Sequence, residues 1–207
     1  MYRIAYIDDE PNVVRQFQAN MDDDFDVIDI ELKENIEEMI EEIIDSRVSA
    51  VVIDYNLNSS HATIHYNGVH LLRHLLNRMK DFPAYILTSH EAEAEGTLLD
   101  PDLIRDKKFV SEQRAWFVHK LKTKIESHDK QMELYRKELA SLAARFSELT
   151  SREEERLIEL DDILEKNSNG YKALPSDVKK LSNDARLDRL INLSEQLIEE
   201  LRNADGK

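Results

Sequence analysis

Three carboxylates stand at the ends of two short apolar runs. Tyr2-Arg3-Ile4-Ala5-Tyr6-Ile7 leads into Asp8-Asp9, and Ala50-Val51-Val52-Ile53 leads into Asp54. Runs of this length that close on acidic residues read as buried strands of a parallel sheet, whose strand ends line a ligand crevice. Three carboxylates gathered there repel one another unless a cation lies among them. Hard oxygen donors at a tight site suit Mg²⁺.

The elements that must position these carboxylates alternate along residues 1–110. Strands are expected at Arg3–Ile7, Asp26–Ile30, Val48–Ile53 and Ala84–Leu87. Pro11 suits the first turn of a helix that continues through Val14, Phe17 and Gln18. Ile36, Met39, Ile40, Ile43 and Ile44 keep helical spacing, as do Val69, Leu72, Leu75, Leu76 and Met79 in a helix over Gly68–Met79. Glu91–Leu99 is a short helix candidate. Phe109-Val110 forms the core of a weak fifth strand, with the weaker Leu103–Asp106 as the other candidate. Strand and helix alternating at these lengths imply right-handed crossovers, hence an α/β fold with a doubly wound, five-stranded parallel sheet.

The pattern changes after Glu112. Val118, Leu121, Ile125, His128, Met132, Tyr135, Leu139, Leu142, Phe146 and Leu149 are spaced alternately three and four apart, the heptad signature. A long helix is therefore expected over 112–149. Ser151-Arg152-Glu153-Glu154 reads as a capping box that restarts a helix over 151–166, with further helices at 176–184 and 186–203. Two arrangements compete for this all-α region. The long helix pairs with a second copy as a coiled coil, or it folds back near Thr150 into a helical bundle, or both hold as a dimeric stalk with a short bundle at its end. The division expected is a first domain over 1–125 and a helical output or dimerisation region over 126–207.

Composition narrows the function classes. The chain has 207 residues and no cysteine, which excludes disulfides and thiolate metal sites. Its formal net charge is −15. Residues 1–125 hold 14 Lys+Arg and 24 Asp+Glu, giving −10; residues 126–207 hold 14 and 19, giving −5. Neither half has the basic excess that DNA binding usually uses. The N-terminus lacks a leader pattern and no apolar stretch reaches membrane-spanning length, so a cytoplasmic protein is expected.

Asp8-Asp9-Glu10-Pro11 after the first strand, Asp54-Tyr55-Asn56-Leu57 after the third, and Thr88 at the end of the fourth together resemble the receiver domain of two-component response regulators. The resemblance covers roughly residues 1–125. It implies a flavodoxin-like receiver fold in which Asp54 is the phosphoacceptor. It also implies a Mg²⁺ cofactor held by Asp8, Asp9, Asp54 and the main-chain carbonyl of Asn56. Thr88 would bond a phosphoryl oxygen. A lysine ending the fifth strand would pair with the phosphoryl group. That lysine is Lys107 if the strand is Leu103–Asp106; the position falls on Ser111 if the strand is Phe109-Val110. The position that is aromatic in many such domains falls on Ile104 or Lys108 by the same choice. A further departure is the loop after Asp54, where residues 58–66 are inserted before Gly68 and would lie over the site.

His70 and His74 lie four apart, but no glutamate accompanies them as in zinc helices, and they read as solvent-facing. The C-terminal half carries no helix-turn-helix, cyclase, phosphodiesterase or phosphatase motif, so no enzymatic output is expected. The expectation is a signalling switch phosphorylated by a sensor histidine kinase and acting, as a homodimer, on a protein target without DNA or membrane. The alternatives are a pseudo-receiver scaffold that does not switch, a phosphate sink, or a DNA-binding regulator.

Overall fold

The computed structural model of the chain describes residues 1–59, 63–89 and 100–167. The helices expected at Glu91–Leu99, 176–184 and 186–203, and His61 of the inserted loop, lie outside these residues. The described chain divides into two compact units, one from Met1 to His128 and the other from Asp129 onward.

In the first unit, strands β1 (Tyr2–Ile7), β2 (Phe25–Asp29), β3 (Ala50–Asp54), β4 (Ala84–Thr88) and β5 (Ile104–Asp106) form one parallel sheet. Their order is β2-β1-β3-β4-β5, the flavodoxin-like doubly wound arrangement. Helices α1 (Pro11–Met21), α2 (Ile36–Asp45) and α3 (Gly68–Arg78) follow the first three strands. A short α4 (Lys107–Glu112) follows β5, and the long α5 (Arg114–Ala143) begins just beyond it.

Strand periodicity sorts the core onto two faces. Ala5, Ile7, Val51, Ile53, Ala84 and Ile86 join α2 and α3 in one buried cluster. The alternate residues Ile4, Tyr6, Ala50, Val52, Tyr85 and Leu87 join α1 and the first turns of α5 in the other. Because β3 and β4 are buried on both sides, they read as continuous apolar runs. Asn35 and Asn67 cap α2 and α3 by accepting from the amides of Glu37 and His70.

Phe109-Val110 is not a strand. The fifth strand is Ile104–Asp106, in line with the weaker candidate, and Phe109 and Val110 lie in α4. Asp106 caps that helix by accepting from the Lys108 amide at 2.6 Å. Val110 is apolar because it packs on the α1–α5 face of the sheet, not because it extends the sheet.

The long helix ends at Ala143, before the expected Leu149, and a 3₁₀ turn over Phe146–Glu148 follows. Helix α6 (Ser151–Asn167) then packs back on it within the second unit. Met132, Leu139 and Leu142 of α5 bury against Leu157, Leu160 and Leu164 of α6, with Phe146 and Leu149 at the edge of the same cluster. The heptad stripe thus has an intrachain explanation. Val118, Leu121 and Ile125 cover the sheet, and the later members cover α6. The described residues fold back after Ala143, as the bundle arrangement expects. The cap lies one residue earlier than expected. Thr150 N–H donates to Glu153 Oε2 at 2.9 Å, and the Glu153 amide returns to Thr150 Oγ1 at 3.4 Å. These contacts and the Arg145 guanidinium hold the Glu153 carboxyl down at about 2. Arg156 grips Glu138 with two parallel bonds of 2.9 and 3.0 Å.

This second core is small, so one leucine matters. Leu160 is fully buried. Leu160→Ala is expected to destabilise the helical unit by about 2–5 kcal/mol. Far-ultraviolet helicity should then fall at lower urea, while the fluorescence transition of the chain's single tryptophan, Trp116 in the first unit, stays in place. A joint shift of both signals would show that the two units unfold together.

Candidate functional site

The site forms where β1, β3, β4 and β5 end. Parallel strands place their C-terminal ends on one edge, and the β1–β3 register, Ile7 opposite Ile53, brings Asp8 and Asp54 side by side. Asp8, Asp9 and Asp54 are all buried, and each offers a carboxylate oxygen within 4.8 Å of the others. Among the described residues this is the cluster of three acidic, histidine or cysteine side chains close enough to hold one ion.

Lys107 reaches into the cluster from the end of β5. Its Nζ lies 2.7 Å from Asp54 Oδ1 and 3.0 Å from Asp8 Oδ2. Burial lowers the Lys107 pKa, but its bond to Asp54 and the charges of Asp54 and Asp8 outweigh that and raise it overall. The ammonium therefore stays charged. Ser111, the other candidate for this position, lies within α4 and donates to the Lys108 carbonyl instead. With this register, the position that is often aromatic is taken by Ile104, which is buried in the α2–α3 core.

Asp54 carries the most informative electrostatics. Burial pushes its carboxyl from 3.8 up to about 6; the Lys107 bond and charge pull it back, Asp8 raises it, and the Asn56 amide lowers it. That amide donates to Asp54 Oδ2 at 3.0 Å. Asp8 is held from three directions. Its Oδ1 accepts from the Glu10 amide at 2.9 Å, and its Oδ2 accepts from both Tyr6 Oη at 2.7 Å and Lys107. Burial and then the Asp8 charge push the Tyr6 phenol far above its ordinary pKa, so it is a donor at any working pH. Thr88 is buried at the end of β4. The sheet register sets it opposite Asp106, the residue before Lys107, while its neighbour Leu87 is opposite Asp54.

All six expected residues therefore meet at one sheet edge: Asp8, Asp9 and Asp54 as a cluster, Lys107 bonded into it, Asn56 bonded to it by its amide, and Thr88 beside it. Tyr6 was not legible as part of the site. Its place in an apolar run hides the hydroxyl, and only the length of a tyrosine beside an aspartate two residues on gave any signal.

The inserted loop is tied to the fold. Ile64 and Tyr66 are buried, and Tyr66 Oη donates to the Lys33 carbonyl at 2.6 Å. Thr63 and Ile64 line an open cavity of about 260 Å³ together with Asp8, Asp9 and Asp29, so the insertion borders the acidic site. His65 and His70 are exposed, and His74 pairs with Glu37 at 3.2 Å.

The donor set fits a divalent cation. Three buried carboxylates against one ammonium leave an excess of negative charge, and every donor is a hard oxygen.

No protein-family model matches the chain, and no curated protein does. Among solved structures, the chain is similar to the non-phosphorylated HemR receiver domain from Leptospira biflexa, at 20% identity over 60% of this chain and 94% of that one, with a TM-score of 0.44. It is similar to RcsB from Salmonella enterica serovar Typhimurium bound to promoter rprA in the presence of phosphomimetic BeF3-, at 17% identity over 92% and 98% of the two chains, again with a TM-score of 0.44. A complex of the two-component response regulator RcsB with DNA matches at 13% identity, 91% and 97% coverage and a TM-score of 0.44. The proteins this chain is similar to are thus a receiver domain and a two-component response regulator.

Proposed function

We propose that this protein is a phosphorylation-dependent signalling switch of the response-regulator type, with Asp54 as the phosphoacceptor. One observation carries the reading: a buried triad of carboxylates at the sheet edge with the Lys107 ammonium bonded to two of them. A structural ion pair needs one carboxylate for one lysine. Three carboxylates, one with its pKa pushed up, are costly to the fold and are kept where chemistry uses them.

Asp8, Asp9, Asp54 and the Asn56 carbonyl would hold Mg²⁺, which when bound neutralises phosphoryl oxygens. An oxygen of the Asp54 carboxylate attacks the phosphorus of a phosphohistidine on a partner sensor kinase. The P–N bond breaks as the P–O bond forms, and the histidine leaves with the electron pair and takes up a proton. Lys107 moves its charge from the Asp54 carboxylate to the transferred phosphoryl group. The Thr88 hydroxyl donates to another phosphoryl oxygen and draws its loop inward. Thr63 and Ile64 of the inserted loop, which line the cavity beside Asp8 and Asp9, limit water access and so set the lifetime of the aspartyl phosphate. The product is a modified protein, not a released molecule, so the chain is a switch and not a turnover enzyme.

The helical unit is the output, acting in the cytoplasm on a protein target and as a homodimer. Its acidic charge fits a protein partner better than DNA. Among the described residues no helix is long and apolar enough to cross a membrane.

The test is intact mass after incubation with a small phosphodonor and Mg²⁺. The wild type should gain one phosphoryl group, and Asp54→Asn should gain none. If the wild type takes up nothing with any donor, the proposal fails and a docking scaffold built on the same fold takes its place.

A further inference from the structure

We propose that Tyr6 is a positioning residue of this site: its phenol pins Asp8 and thereby keeps the Lys107 ammonium on Asp54. The consequence for phosphoryl binding rests on the function proposed above; the hydrogen-bond chain does not.

Tyr6 lies in β1, on the face of the sheet that meets α1, and is 1% exposed. Its ring stacks on Phe17 with centroids 4.1 Å apart and planes within 9°. The stack leaves the hydroxyl one direction to point, toward the end of its own strand. There it donates to Asp8 Oδ2 at 2.7 Å. The same oxygen accepts from Lys107 Nζ at the longer distance of 3.0 Å, and Lys107 lies closer to Asp54 Oδ1, at 2.7 Å. The other Asp8 oxygen is taken by the Glu10 amide.

Asp8 therefore shares its charge among three donors, and two of them are fixed by the fold. The lysine is the mobile one. It has room to shift, because Tyr6 and Lys107 share the wall of a cavity of about 220 Å³ with Phe17, Leu87 and Val110. While the phenol occupies Asp8 Oδ2, that oxygen is a weaker partner for the ammonium, and Asp54 wins the competition. Without the hydroxyl, Asp8 Oδ2 has Lys107 alone. The ammonium then moves toward Asp8, and the Asp54 carboxylate, or a phosphoryl group on it, loses part of its counter-charge.

Tyr6→Phe keeps the ring, the stack and the volume, so it isolates the hydroxyl. Two measurements test it. The first is a double-mutant cycle by urea unfolding at neutral pH in chelator, using wild type, Tyr6→Phe, Asp54→Asn and the double variant. Removing the Asp54 charge should raise the folding equilibrium constant at least threefold more in the Tyr6→Phe background than in the wild type. Additive effects would overturn the inference, because a phenol that only packs has no reason to know the charge at residue 54.

The second is beryllofluoride binding with saturating Mg²⁺. The Tyr6→Phe variant should bind about tenfold more weakly, the size of one hydrogen bond to a charged group. An unchanged affinity would show that Lys107 does not need Tyr6 to serve the phosphoryl position, and would overturn that half. The two readings separate cleanly. A coupled cycle with no beryllofluoride binding by the wild type refutes the phosphoacceptor function and leaves Tyr6 in its role. Normal binding by both proteins with an additive cycle does the reverse.

Discussion

Gly68→Ala is expected to destabilise the first unit by about 3 kcal/mol or more and to slow phosphoryl uptake by the molecules that still fold. Gly68 opens α3 and donates its amide to the Tyr55 carbonyl at 2.9 Å. That bond docks the helix end directly under the strand that carries Asp54. A Cβ at residue 68 would overlap the Asp54 carbonyl oxygen, and it would also lie 3.0 Å from that carbonyl carbon and 3.1 Å from Ile53 Cγ2. Two of these atoms are strand backbone and cannot swing aside, so α3 or the end of β3 must move. Inserting a methyl into a packed core ordinarily costs about 1–3 kcal/mol, and a clash with backbone sits at the upper end. Displacing the end of β3 also moves Asp54 off Lys107, which ties the stability loss to the chemistry. Val69→Ala is the control. Val69 is equally buried in the same helix, so its truncation destabilises by leaving a void but does not push on Asp54. Urea midpoints and single-turnover phosphorylation on both variants decide the matter. A Gly68→Ala protein of wild-type stability would mean that the contact is not as tight as the structure draws it.

That contact also explains how much of the site could be read in advance. The inserted loop carries Gly68 further along the chain from Asp54 than the receiver pattern has it, yet the glycine comes back to the Asp54 carbonyl. A glycine ahead of a helical stripe was visible in the sequence; the atom it accommodates was not. The strands were legible where burial on both faces leaves a run of apolar residues, as in Ala50–Asp54 and Ala84–Thr88. The fifth strand was harder, because Ile104 is its one buried residue and its neighbours Arg105 and Asp106 are polar. The better-looking Phe109-Val110 pair belongs to a six-residue helix that packs on the sheet from one side. In the helical half, spacing recorded burial correctly but not conformation. Phe146 and Leu149 keep the heptad register and reach the same core as Leu142, although the α-helix has already ended at Ala143. Apolar spacing reports which side chains face the core, and a 3₁₀ turn can satisfy it for a few residues as well as a helix can.

In chelator at neutral pH, Asp54→Asn should be more stable than the wild type, by up to about 3 kcal/mol, and the gap should close as the pH falls. The folded protein holds the Asp54 carboxyl at about 6, mainly by burial, against an ordinary value of 3.8. Between those values the folded state binds more protons than the unfolded chain, so this group's contribution to stability falls as pH rises through the window. Below about pH 3 the side chain is neutral in both states and costs nothing. Above about pH 7 it is ionised in both, and the folded state bears the full cost of a carboxylate that Lys107 only partly compensates. A shift of about two units corresponds to roughly 3 kcal/mol. Asparagine has the same shape and no charge, so it removes the dependence. Mg²⁺ should work in the opposite direction. It binds the folded wild type and stabilises it by mass action, and it has one anionic ligand fewer in the variant, so millimolar Mg²⁺ should narrow or reverse the gap at pH 7.5. Urea midpoints across pH 4–8, with chelator and with Mg²⁺, give both signs in one series. If the wild type is the more stable protein at pH 7.5 in chelator, then Lys107 compensates Asp54 fully, and the carboxylate is a structural partner of the lysine before it is a nucleophile. If instead the gap opens through pH 6 and closes with Mg²⁺, the fold is maintaining an anionic, under-compensated Asp54 at a cost to its own stability. That is the state a phosphoacceptor must be in before its cation and its donor arrive.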